Sequence, residues 1–420
     1  MSEKLKIEGF AGIKEFSIDL RKINVFIGPQ ATGKSVTAKL LYFFKSLLAQ
    51  MYQLAGTFSK GEIKGVLRDA FEGYFPREAW GDGTFSIRFE YKEEFVVLEG
   101  SGGKTPKTRL SWSRKYDEII DEYIQAAEAS RRVSPKPIPG QAVRVKSGDS
   151  VLPRNLSALL SYQLFIPAGR SFFAVLQKNV FTMLARDVRF DPFLEAFGSF
   201  YEQSKQARIS RKPGRGKSAE REINKLVSKV LGANYVLRDG GDFLKFPDGR
   251  IVDLAHVSSG QQEALPLAVI LEKLIYPWPW PGNWSESKTV YVEEPEAHLF
   301  PATQRLVVEL LATVFNTDPE NLQFVVTTHS PYILTALNNL LQAGQLGEEL
   351  ADDASALKKL HRVVPKSRHL VAGDVSAYYF DGKKAKSILS RQDGLINADV
   401  IDSVSEDLAI QFDKMLDIGG

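Results

Sequence analysis

The stretch "GPQATGKS", from Gly28 to Ser35, has the spacing Gly-x-x-x-x-Gly-Lys-Ser. Gly28 and Gly33 allow a tight turn whose main-chain N–H groups point inward, with Pro29, Gln30, Ala31 and Thr32 completing the loop. Lys34 can reach the outer phosphates of a nucleotide, and the Ser35 hydroxyl can ligate Mg²⁺. The β-branched run "INVFI" precedes the loop, and "SVTAKLLYFFKSLLAQMY" follows with helical spacing of apolar residues. A strand, a phosphate loop and a helix N-terminus together make an anion site.

Three further clusters carry chemistry. In "SKTVYVEEPEAHLFP", Thr289 to Val292 form a short apolar run suited to a buried parallel strand. Glu293 and Glu294 stand at its C-terminal end. Neighbours on a strand point to opposite sides, so the two carboxylates are expected to do different work. Beside a Mg²⁺-nucleotide, one would bind the metal or its water and the other would polarise the water attacking the γ-phosphate. The bland alternative is a charged pair closing a strand. In "FVVTTHSPYIL", a second apolar strand ends at Thr327, Thr328, His329 and Ser330, where His329 suits a γ-phosphate sensor. In "VSSGQQEAL", Ser258, Ser259, Gly260 and Gln261 precede a helix whose first amides could bind phosphate. A plain helix cap by Ser258 or Ser259 is the competing reading.

The elements that must position these residues follow from pattern. "KLKIEGFAGIKEFSIDL" predicts two strands joined by a Gly-containing turn, and Ser35 to about Met51 a helix. "TFSIRFEYKEEFVVLEG" is strand-like, and "RKYDEIIDEYIQAAEASRR" has helical spacing. "YQLFIPAGRSFF" predicts a strand and a turn, Phe173 to Leu231 mostly helix, and "NYVLRDGGDFLKFPDGRIVDLAHV" short strands. A helix begins near Gly260, and a β-rich tail is expected after the His329 strand.

Composition bounds the rest. The 420 residues are enough for one large domain or a few smaller ones, and 44% hydrophobic content with 26 Phe provides for a sizeable core. With no Cys, disulfides and Cys-based zinc sites are excluded. No apolar signal-peptide region and no run of about 18 apolar residues is present, which points to a cytoplasmic protein without a membrane span. A net charge of only +3 leaves nucleic-acid contact to a local patch. The basic stretch from Lys205 to Arg221 is the candidate, against a solvated loop. Pro-broken aromatics from Tyr276 to Trp284 are expected on a loop, at an interface or folded onto the core.

Taken together and in this order, the four clusters resemble the ABC-type ATPase superfamily, in the branch of the SMC-like repair ATPases and the OLD-type ATPases. "GPQATGKS" matches Walker A, "TVYVEEPEAHLFP" Walker B and the D-loop region, "VSSGQQ" the signature usually written LSGGQ, and "TTHSP" the H-loop. "EPEAHLFP" and "IPAGRS", Ile166 to Ser171, resemble the OLD-type group, which supplies ATPase subunits to anti-phage systems such as Gabija, Septu and PARIS. The resemblance implies ATP and Mg²⁺ as cofactors. Lys34 and Ser35 would hold the phosphates and Mg²⁺. Glu293 would be the metal-side acid, where the family usually has Asp, Glu294 the catalytic base and His329 the switch. Ser259 and Gly260 would face the γ-phosphate of a partner's nucleotide. Gln163 is a weak Q-loop candidate.

The implied fold is α/β, an ABC-type P-loop ATPase head with an inserted, mainly helical region. Its expected parts are an N-terminal lobe over 1–110 with Walker A, the inserted region over 111–235, and a C-terminal lobe over 236–420 with signature, Walker B and H-loop. Such heads complete their sites as head-to-tail dimers, so a homodimer or larger homo-oligomer is expected. Too few residues follow His329 for a Toprim nuclease domain, and the five His are scattered. Any nuclease or toxin activity would then belong to a separate effector chain. An SMC-like DNA-repair ATPase and a non-hydrolysing ATP-gated scaffold are the competing functions.

Overall fold

The computed structural model describes residues 3–103, 107–133, 161–174, 191–209, 218–238, 240–276, 287–397 and 410–415. At its centre lies a six-stranded sheet. Its strands are β3 (Ile23–Ile27), β7 (Tyr162–Ile166), β11 (Lys288–Glu293), β12 (Leu322–Thr328), β13 (Val375–Phe380) and β14 (Ala385–Ser387). The spatial order is β14-β13-β3-β12-β11-β7, parallel throughout except for the β13–β14 hairpin.

The strands are short apolar runs because both faces of the sheet are covered, as parallel sheets require. Along β3, Val25 and Ile27 enter one core while Phe26 enters the other, and β11 divides Val290 and Val292 from Tyr291 in the same way. One face packs on α1 (Lys34–Ala55) and on an antiparallel sheet ordered β2-β1-β4-β5-β6. That second sheet runs through β1 (Glu3–Phe10), β2 (Ile13–Leu20), β4 (Thr84–Tyr91), β5 (Glu94–Ser101) and β6 (Lys107–Trp112). Helices α2 (Lys60–Tyr74) and α3 (Arg114–Val133) complete this layer. The other face is covered by α4 (Pro192–Ile209), α5 (Ser218–Leu231), α6 (Ser259–Leu274), α7 (Pro301–Phe315) and α8 (Pro331–Glu349). A small three-stranded sheet, β8 (Asn234–Arg238), β9 (Gly241–Lys245) and β10 (Ile251–Asp253), leads into α6.

Register decides where the chemistry gathers. Thr327 pairs with Glu293 and Thr328 with Ile27, while Ile166 lies opposite Val292 and Tyr379 opposite Ile27. The loops leaving β3, β7, β11, β12 and β13 therefore emerge at one edge, the C-terminal ends of the parallel strands, where open α/β sheets bind ligands.

One expectation needs correcting. The tail after His329 is not β-rich: it begins with α8 and α9 (Ala354–Val363) before β13 and β14. Within residues 111–235, β7 hydrogen-bonds to β11 as the outer strand of the central sheet, and α3 packs on α1. Strands far apart in sequence pair for reasons that no local pattern records. Most of the aromatic loop, residues 277–284, lies outside the described residues.

Candidate active site

Gly28 leaves β3 at φ 151°, and a side-chain carbon there would sit 2.1 Å from the Phe380 carbonyl oxygen. Only glycine lets the loop lie this close to β13. The loop continues through Ala31 at φ 58° and closes at Gly33, φ 95°, which caps α1. Thr32 Oγ1 donates to the Pro29 carbonyl at 2.8 Å.

Lys34 is buried. Its Nζ donates to the carbonyls of Gly28 (2.9 Å) and Pro29 (2.6 Å) and lies 3.5 Å from His329 Nδ1. Burial pulls its pKa down from 10.5 to about 8, against the opposing charges of Glu294 and Glu296. On its far side, His329 Nε2 lies 3.3 Å from Glu294 Oε1. An ammonium only donates, so this chain fits the tautomer in which Nδ1 accepts and Nε2–H faces the carboxylate.

The two adjacent glutamates occupy different surroundings. Glu293 ends β11, is 7% exposed, and accepts the Ala168 N–H at Oε2 (3.4 Å). Its Oε1 is buried and makes no hydrogen bond. Burial pushes its carboxyl pKa up, opposed by the neighbouring Ser35 hydroxyl and by Lys39. Glu294 is half-exposed. Strand pleating does not separate the pair, contrary to the sequence expectation: the strand ends at Glu293, and Glu294 adopts φ 42° in the turn beyond. The left-handed turn, not alternation, sends the second carboxylate toward His329.

Two other residues that sequence reasoning missed hold this edge. Glu296 Oε1 accepts both the Thr328 hydroxyl and the His329 main-chain N–H, each at 2.7 Å, and so sets where His329 begins. Its distance of three residues from Glu293 was the available signal. Arg170, in the "IPAGRS" turn after β7, is fully buried and donates to the carbonyls of Glu293 and Glu294. Its stretch "IPAGRS" carries the family resemblance, but nothing in it announces a buried Arg whose partners are main-chain oxygens.

Ser258 caps α6 in a capping box with Gln261, leaving Ser258 and Ser259 exposed. Gly260 packs so closely on the turn after Pro295 that a side-chain carbon would meet the His298 carbonyl at 2.7 Å. The signature stretch and the loop beyond Glu294 are thus direct neighbours. Gln163 is not at this edge. It pairs opposite Thr289, at the other end of the sheet, where it donates to Ser161 and accepts from the Tyr291 hydroxyl. In the basic stretch, Lys205 is buried and held by Asp242 at 3.3 Å, which removes it as a phosphate contact, and residues 210–217 lie outside the described residues.

For Mg²⁺, the residues present fit: the Ser35 hydroxyl neighbours a buried carboxylate with one oxygen unbonded, a donor pair suited to a hard cation. A glycine-turned amide loop, a lysine behind it, a hydroxyl–carboxylate pair and a histidine-linked glutamate at one sheet edge make a P-loop nucleotide site in an α/β fold. The chain belongs to the family described as "AAA domain, putative AbiEii toxin, Type IV TA system", which matches residues 23–335. Among solved structures it is similar to an SmcHead bound to the C-winged helix domain of ScpA, at 14% identity and TM-score 0.41 over 93% of this chain and 98% of that one. It is also similar to the SMC head domain from Thermotoga maritima, at 15% identity and TM-score 0.33 over 80% and 91%. A third is the Smc head domain with an extended coiled coil bound to the C-terminal domain of ScpA, from Pyrococcus furiosus, at 13% identity and TM-score 0.38 over 97% and 99%. Among the described residues, no helix is long and apolar enough to cross a membrane.

Proposed function

We propose that this chain binds Mg²⁺-ATP at the edge formed by the loops after β3, β11 and β12, closes on a second copy of itself, and hydrolyses the nucleotide. The observation that carries the reading is the contact chain Lys34–His329–Glu294 beside the Ser35–Glu293 pair.

In this reading Gly28 to Gly33 wrap the phosphates with main-chain N–H groups, and Lys34 leaves the Gly28 and Pro29 carbonyls for the β- and γ-phosphates. Ser35 and Glu293 hold Mg²⁺, which neutralises phosphate charge when bound. Glu294 orients the attacking water and accepts its proton. His329 holds that carboxylate through Nε2 and meets the γ-phosphate. Ser258 to Gln261 of a second copy cover the nucleotide from the other side, so each site draws on two chains. The N-terminal lobe is assigned to 1–110 and the C-terminal lobe to 236–420, with the 111–235 region contributing β7 to their shared sheet.

The biological setting we assign is bacterial defence in the cytoplasm, with ATP state controlling a separate effector protein. The sequence likeness to OLD-type ATPases supports it, as does a family description that names a toxin–antitoxin system. The test is ATP hydrolysis by purified Lys34→Ala. Loss of turnover supports the reading, and turnover at the wild-type rate overturns it.

A further inference from the structure

Arg170 has no exposed surface, and its partner Glu263 is 1% exposed. Arg170 lies in the turn after β7, and Glu263 lies one turn into α6, just beyond Ser259 and Gly260. The Glu263 carboxylate accepts the main-chain N–H groups of Arg170 (2.9 Å) and Ser171 (3.0 Å). The guanidinium is spent on main-chain oxygens. Nε donates to Glu263 O (3.0 Å), Nη1 to Pro167 O (2.9 Å) and Glu293 O (2.7 Å), and Nη2 to Glu294 O (3.0 Å). A plain ion pair needs only the carboxylate. A rigid fork that reaches carbonyls on three separate segments fixes their relative placement.

One of those segments is unusual. Glu294 sits at φ 42°, where residues with side chains rarely settle unless their surroundings over-determine them. Its N–H donates to Thr327 O at 2.9 Å, and its carbonyl accepts from Ala297 N at 3.0 Å and from Arg170. The first two bonds belong to the sheet end and the turn. The third joins this peptide to another part of the fold.

We propose that Arg170, locked by Glu263, is a positioning residue that ties the first turns of α6 to the Glu294 peptide. The placement of the signature stretch then sets the aim of the Glu294 carboxylate. This rests on the ATPase reading above. There, the signature of one copy covers its partner's nucleotide, while Glu294 serves its own. The clasp therefore links the two composite sites through the interior of each subunit.

The test uses the full chain with Arg170→Lys and Glu263→Gln. Lysine keeps the charge but cannot span the three segments, and glutamine keeps the shape but removes the charge 3.4 Å from the Arg170 Nε and turns one of two accepting oxygens into a donor facing a main-chain N–H. Hydrogen exchange is measured first on nucleotide-free protein. The amides of Glu293, Glu294 and residues 296–298 should exchange about tenfold faster or more in both variants. Mg²⁺-ATP affinity and single-turnover hydrolysis follow. Affinity should stay within about threefold while hydrolysis falls about tenfold or more in Arg170→Lys, with Glu263→Gln between it and wild type. If Arg170→Lys does not fold, Glu263→Gln decides alone. Unchanged exchange at these amides overturns the clasp, whatever the ATPase does. Equal loss of affinity and hydrolysis reduces Arg170 to a purely structural role and overturns the positioning claim. A wild-type chain that neither binds nor hydrolyses ATP overturns the ATPase reading, and the exchange result still judges the clasp.

Discussion

At the scale of single residues, two features make separate predictions. Lys34 titrates near pH 8 in the free protein because burial disfavours its charge. A bound triphosphate favours the ammonium, so binding takes up a proton, and ATP affinity should fall as pH rises through about 8. Calorimetry at pH values on either side of that, in buffers of different ionisation enthalpy, measures the uptake. Lys34→Arg, charged throughout, should lose the dependence. Glu293 and Glu294 should also part company. Glu293→Gln removes the carboxylate beside Ser35 and should weaken the Mg²⁺ dependence of nucleotide binding about tenfold or more, as measured by titration with and without Mg²⁺. If it leaves that dependence unchanged and Glu294→Gln abolishes it, the roles are reversed. The types and spacing of these residues stand in local stretches of the sequence, and the fold brings them to one sheet edge. Arg170 and Glu296 were not legible there, because their partners are main-chain groups and residues brought together only by the sheet.

At the scale of elements, what was legible followed local pattern. β3, β11 and β12 are continuous apolar runs, and α1 has helical spacing behind a glycine-rich loop. The place of β7 beside β11 was illegible, since pairing across more than a hundred residues leaves no local mark. Helix α8 was overlooked despite its signals: Ser330 accepts the Tyr332 N–H, Pro331 opens the helix, and Ile333, Leu334, Leu337, Leu340 and Leu341 recur on its buried face. Two predictions belong here. Gly28→Ala forces a side-chain carbon into the Phe380 carbonyl and should destabilise the chain by about 1–3 kcal/mol, measured by denaturant unfolding. A stability equal to wild type would mean that β13 does not hem in the loop. Ser259→Arg enlarges an exposed residue at the start of α6. It should leave ATP affinity unchanged while blocking ATP-dependent association, seen by light scattering. If association and hydrolysis persist, "VSSGQQ" is only the capped start of a helix.

At the scale of the whole molecule, the proposed function gives one chain two half-sites. One is the phosphate loop with Glu294 and His329, and the other is the start of α6. Arg170 and Glu263 join them through the interior. Lys34→Ala and Ser259→Arg damage different halves, so in a head-to-tail pair both lesions fall in one composite site and the other stays whole. Mixing the two variants should therefore restore part of the turnover that each lacks alone. The most direct measurement is on Glu294→Gln: particle mass with and without Mg²⁺-ATP, together with single-turnover hydrolysis. The amide keeps the size of the side chain but cannot accept the proton of the attacking water. This variant should bind Mg²⁺-ATP, hydrolyse it about a hundredfold more slowly or worse, and accumulate as a nucleotide-bound dimer. Hydrolysis at the wild-type rate, with no change of mass on adding Mg²⁺-ATP, would contradict the proposed function.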